Sequence, residues 1–91
     1  MIEVYTRESY CGWCIRAKDL LRSKNLEFKE FIVNVDISRD DFIHKFWRDV
    51  TDVQPTVPQI VINGEWIGGY EDLVAYFEKE DSYEWRTDAS Y

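Results

Sequence analysis

The chain has 91 residues, 45% hydrophobic and 32% charged, which is the balance of one soluble globular domain and not of a disordered chain. A net charge of −7 without a basic stripe argues against nucleic acid as a partner. No apolar run approaches the ~20 residues of a membrane span, and Met1 leads straight into a strand with no signal peptide, so no membrane partner and a cytoplasmic location are expected.

Ile2 to Thr6 is β-branched and aromatic and reads as a strand. Cys14, Ala17, Leu20 and Leu21 then recur at helical spacing, which predicts a helix over about Gly12 to Lys24 with Asn25 as its stop. Between them stands Cys11-Gly12-Trp13-Cys14, with the only two cysteines of the chain. A cysteine at a helix start faces unpaired N–H groups and the positive end of the macrodipole, which favour thiolate over thiol. Such positions lower a cysteine pKa to roughly 3.5–7.5 from about 8.5, and the thiolate is the nucleophile of disulfide exchange. Cys11 takes that role, and Cys14, one turn on, is placed to resolve the mixed disulfide. Two bland readings compete. A zinc site needs two further soft ligands, and the rest of the chain offers only His44, so no metal is expected. A pair of inert core cysteines fits poorly at a strand-to-helix junction, the context that the redox motif requires.

Leu26 to Val35 predicts a second strand, buried on both faces over its latter half, which makes the first three elements a right-handed parallel crossover. Ser38 is a good N-cap for a second helix to about Val50, with Phe42, Ile43, Phe46, Trp47 and Val50 as its core stripe and His44 on the solvated face. Thr51 to Pro58 connects to a strand, Gln59 to Ile62, and Asn63-Gly64 turns it into a hairpin with Glu65 to Ile67. Gly68-Gly69 allows positive φ or close approach to a ligand ahead of a last helix, about Glu71 to Glu80, burying Leu73, Val74 and Phe77. Trp47 and Trp66 are expected in the core, Trp13 and Trp85 as contact residues. Residues 1–80 form the domain; 81–91 is an acidic, aromatic segment that reads equally as a helix extension, a docking segment or a frayed end.

Three motifs in order, Cys11-Gly12-Trp13-Cys14-Ile15-Arg16-Ala17-Lys18-Asp19-Leu20, Thr56-Val57-Pro58-Gln59-Ile60 and Ile67-Gly68-Gly69-Tyr70-Glu71-Asp72-Leu73, resemble those of the glutaredoxins, over Ile2 to about Glu80. The resemblance implies an α/β thioredoxin fold, βαβαββα, with a mixed four-stranded sheet flanked by three helices and a cis peptide before Pro58. It implies a dithiol oxidoreductase with glutathione as reducing co-substrate, no tightly bound cofactor, disulfide proteins such as ribonucleotide reductase as clients, and a monomer. By position, Val57, flanked by Thr56 and Pro58, would pair with the glutathione backbone. Gly69, Tyr70, Glu71 and Asp72 would meet the γ-glutamyl group at a helix start, with Trp13 as a contact. Glu71 and Asp72 also read as ordinary capping acids.

The chain departs from the family in three places. Gly12 and Trp13 stand where Pro and Tyr are commonest. Arg7, which would meet the glycine carboxylate, lies four residues before Cys11 where the family's basic residue lies three before. Two other readings stay open: a module sharing a bridging [2Fe–2S] cluster between two chains with glutathione as co-ligand, and a thioredoxin-like donor that does not use glutathione.

Overall fold

The structure, a computed structural model, describes residues 1–47 and 54–89, with residues 80–89 as backbone alone. Strand β1 (Ile2–Arg7) pairs in parallel with β2 (Lys29–Val33) and antiparallel with β3 (Gln59–Ile62), which pairs antiparallel with β4 (Glu65–Gly68). The sheet order is β2-β1-β3-β4. Helices α1 (Gly12–Ser23), α2 (Arg39–Trp47) and α3 (Tyr70–Ala89) complete the chain.

Strand alternation sorts the core into two halves. On one face Ile2 and Val4 of β1 and Ile60 and Ile62 of β3 pack with Ala17 and Leu21 of α1 and Leu73 of α3. Full burial of one such aliphatic side chain stabilises by about 1.5–3 kcal/mol. On the other face Tyr5 and Val61 pack with Phe42 and Phe46 of α2, and Phe31, Trp47 and Val57 close around them. The Tyr5 ring stacks on Phe31 at 5.0 Å and meets Phe46 edge-on at 5.1 Å.

Each half has a titratable group held off its ordinary value. Burial, then the hydrogen bond that Tyr5 donates to Glu3 (3.0 Å) and the Glu3 charge, raise the Tyr5 pKa to about 12. On the aliphatic side, burial pushes the Glu30 carboxyl upward, but hydrogen bonds from the Thr6 hydroxyl (2.7 Å) and the Lys18 ammonium (2.9 Å), with the Lys18 and Arg22 charges, outweigh it and leave Glu30 below its usual range.

Local signals end the elements where the residue types require. After α1 the chain turns at Asn25 (φ 59°), where the N–H groups of Asn25 and Leu26 donate to the carbonyls of Arg22 and Leu21, a Schellman closure. Ser38 Oγ accepts the Asp41 N–H (3.1 Å) at the start of α2. Asn63 and Gly64, both at positive φ, form the tight hairpin turn.

The expected burial of the second strand on both faces does not hold. β2 is an edge strand, its inner residues only half-buried and Val35 58% exposed. It stops at Val33 because Asn34 turns to positive φ (74°). Val50 and the start of the connection, Thr51 to Val53, lie outside the described residues. The last helix does not end at Glu80 but continues to Ala89. Among the described residues no helix is long and apolar enough to cross a membrane.

Candidate active site

Cys11 is the N-cap of α1, with extended backbone (φ −146°, ψ 100°). Its Sγ accepts the Cys14 N–H at 3.2 Å, so the positive end of α1 converges on this sulfur. The two cysteines form a disulfide with Cα atoms 5.2 Å apart. Cys11 is the more open of the two, 7% exposed against 3% for Cys14. Val57 faces Cys11 from the loop before β3, its carbonyl oxygen 3.9 Å from Cys11 Sγ, and the Val57-Pro58 peptide is cis.

Beside this loop a cleft of about 410 Å³ runs to the start of α3. Trp13 from α1, Thr56, Val57 and Pro58 from the loop, and Gly69, Tyr70, Glu71 and Asp72 at the start of α3 all line it, so the structure brings together eight residues that the motifs single out. The Trp13 ring, 52% exposed, has Tyr70 at 5.5 Å and the Arg16 guanidinium at 5.0 Å.

Arg7 is not among the cleft residues. Its guanidinium donates from Nε (3.2 Å) and Nη2 (2.7 Å) to the Tyr10 carbonyl, the peptide that leads into Cys11. These two bonds brace the loop that leads into Cys11.

Asp72 and Glu71 divide into different roles. Asp72 Oδ2 accepts the Gly69 N–H (3.0 Å) and the Leu73 N–H donates to the Gly69 carbonyl (3.0 Å), so Gly69 is the N-cap of α3 and Asp72 closes back on it. Gly68 sits at φ 121°, and a Cβ there would overlap the Asp72 carboxylate. Glu71 is exposed on the rim.

Gly68, expected with Gly69 to allow positive φ or close approach to a ligand, lines the cleft too; Gln59, Trp47 and Trp66 also line it, and sequence reasoning gave none of these three a site role. Trp66, expected in the core, is 46% exposed. β4 is the far edge of the sheet, so only one side of the indole has protein to pack on, Phe46 at 5.3 Å and Trp47 at 6.1 Å. Trp47 is half-buried under the same ring cluster. The Trp66 indole N–H donates to Gln59 Oε1 (2.8 Å), and the Gln59 amide donates to the carbonyl and hydroxyl of Thr56, both at 3.1 Å. The available signal is Gln59 itself, a polar side chain on the Val61 side of a strand whose four residues are all buried. His44 is exposed on α2, as expected. Among the described residues no group of three or more His, Cys, Asp or Glu side chains could hold a metal ion.

The sequence matches the glutaredoxin family model over residues 2–67. It is 40% identical over 75 residues to glutaredoxin 3 of Escherichia coli K12, a match covering 81% of this chain and 82% of that protein. Among solved structures, glutaredoxin 1 of Francisella tularensis, complexed with cacodylate, is similar with a TM-score of 0.69 at 30% identity, covering 89% of this chain and 95% of that one. Reduced Escherichia coli glutaredoxin is similar with a TM-score of 0.64 at 28% identity, covering 86% of this chain and 93% of that one.

Proposed function

Because the chain belongs to the glutaredoxin family, with its thioredoxin fold and a thiol–disulfide oxidoreductase centre at Cys11 and Cys14, we propose that it draws its electrons from glutathione and reduces protein disulfides and glutathione mixed disulfides. The observation that carries this reading is the position of Cys11 Sγ, capped by the Cys14 N–H and facing Val57 at the wall of a cleft that ends on the first turn of α3.

In the reduced protein the Cys11 thiolate attacks one sulfur of the client disulfide, that S–S bond breaks, and the other client sulfur leaves as a thiolate. Cys14 then loses its proton and attacks Cys11, which releases the second client thiol and forms the Cys11–Cys14 disulfide. The two electrons have passed to the client, and two glutathiones return them as they become glutathione disulfide. The Cys14 N–H and the dipole of α1 stabilise Cys11 both as attacking thiolate and as leaving group. Glutathione lies in the cleft with its backbone along Val57 and its γ-glutamyl carboxylate on the N–H groups that open α3, while Glu71 pairs with its ammonium. Ribonucleotide reductase is one protein client to test. The protein works in a reducing compartment, where its dithiol form is maintained.

The test is glutathione-coupled turnover of a small mixed disulfide by the wild type, Cys11→Ser and Cys14→Ser. Activity that requires Cys11, survives loss of Cys14 and depends on glutathione is expected, from a colourless monomer. Turnover driven by a thioredoxin reductase and not by glutathione would overturn the co-substrate assignment, and a brown dimer with visible absorbance would favour cluster binding.

A further inference from the structure

Trp66 presents a large apolar surface to solvent, yet it is held in one orientation. Its N–H is fixed by the buried Gln59 amide, which is 5% exposed and uses both its oxygen and its nitrogen in that network. One side of the indole packs on Phe46 and Trp47, and the rest faces the cleft. A rigid, half-exposed aromatic surface beside a reactive centre has the properties of a contact platform, because little side-chain entropy is lost when a partner covers it.

The charge of the cleft indicates what covers it. Among the described residues its charged lining side chains are Glu71 and Asp72, and no lysine or arginine lines it. Asp72 is engaged at the Gly69 N–H, which leaves Glu71 as the open carboxylate. Arg7 is turned onto Tyr10, and Arg16 lies over Trp13. The molecule as a whole carries −7. A cation can therefore place its alkyl stem on the indole face of Trp66 and its head near Glu71, whereas an acidic side chain meets repulsion there.

We propose that this surface is a docking site for a positively charged client segment, in which a lysine or arginine next to the client's disulfide-bonded cysteine lies on Trp66 while that cysteine reaches Cys11. The proposal rests on the assignment of the centre as a thiol–disulfide oxidoreductase and does not require glutathione.

The test uses reduced protein freed of its reductant and three peptides whose single cysteine carries a chromogenic thiol in disulfide linkage, flanked by two lysines, two alanines or two glutamates. Each single-turnover rate is divided by that of a small free dithiol with the same peptide, which removes the effect of the flanking charges on the disulfide itself. At low ionic strength the lysine peptide is expected to react on the order of ten times faster than the alanine peptide, with the glutamate peptide slowest and the spread narrowing as salt is added. Trp66→Ala and Glu71→Gln should each lower the lysine-to-alanine ratio, and Trp66→Phe should keep most of it. Equal normalised rates for the three peptides, or a ratio unchanged in both Trp66→Ala and Glu71→Gln, would overturn the proposal. Because the assay contains no glutathione, failure of the co-substrate assignment leaves its outcome readable.

Discussion

The two faces of the sheet are built from different materials and do different things. The face under α1 and α3 has an aliphatic centre, with Val4, Ala17, Leu21, Ile60 and Leu73 fully buried. The face under α2 is aromatic, and its ring cluster runs from Tyr5 through Phe46 to Trp66, which is open to the cleft. Aliphatic side chains have no polar atoms, so they gain in proportion to the area they bury and nothing from the part left in water. Tyrosine and tryptophan combine ring area with a hydrogen-bonding edge, so an aromatic face can stay ordered while part of it remains in water. The aliphatic face holds α1, whose start caps Cys11, and the aromatic face adds Trp47, Val57 and Trp66 to the wall of the site.

If this division is right, damage to the two faces has different consequences. Phe42→Ala removes a ring that is 1% exposed and should cost ~3–5 kcal/mol in urea unfolding of the oxidised protein. Leu21→Ala should cost ~2–5 kcal/mol in the same measurement. Its lysine-to-alanine peptide ratio should stay that of the wild type, and a changed ratio would mean that the aliphatic face also shapes the cleft.

Gln59→Ala sharpens the comparison at the rim. It leaves the Trp66 N–H and the Thr56 carbonyl without their partner, at a cost of about 1–3 kcal/mol. It should also raise KM for the mixed disulfide more than it lowers kcat, because the loop that carries Val57 loses its brace. A loss of stability with unchanged KM would make the network structural only.

The smallest effects are those of pH, and they separate the faces by sign. The folded pKa of Tyr5 lies above its ordinary 10.0, so its contribution is complete below that value and disappears as pH rises through about 12. Tyr5→Phe should remove this alkaline loss. The folded pKa of Glu30 lies below its ordinary 4.5, so its contribution is complete above that value and is lost on acidification. Glu30→Gln should therefore cost about 0.2–1 kcal/mol at neutral pH and progressively less in acid, read by urea unfolding across the acid range. A wild type whose stability responds to alkali only, or to acid only, would break the pairing of one titrating group with each face.

Much of this architecture was legible in the sequence, where it depends on neighbours along the chain. The cysteine pair at a strand-to-helix junction, the stop at Asn25, the cap at Ser38 and the turn at Asn63-Gly64 are local, because each is set by backbone preferences and hydrogen bonds within a few residues. The three motifs identified most of the cleft, since glycine, proline and first-turn acids keep their meaning in any surroundings.

Only the tertiary structure decided which strands lie at the edges, and that choice governs exposure. Apolar pattern reports which face a residue is on but not whether another strand or helix covers it, so Trp66 reads as buried and is not, and Val35, read as strand, falls in the exposed turn after β2. The same limit applies to charge. Arg7, Glu71 and Asp72 are all ionised side chains near the motifs, yet one braces a loop, one is open and one closes a helix cap, because each contact depends on a carbonyl or N–H that the fold brings within reach. The sequence by itself determined the chemistry of the cysteine pair and the elements that hold it. Folding determined the shape and charge of the surface that surrounds it, because those follow from contacts between residues far apart in the chain.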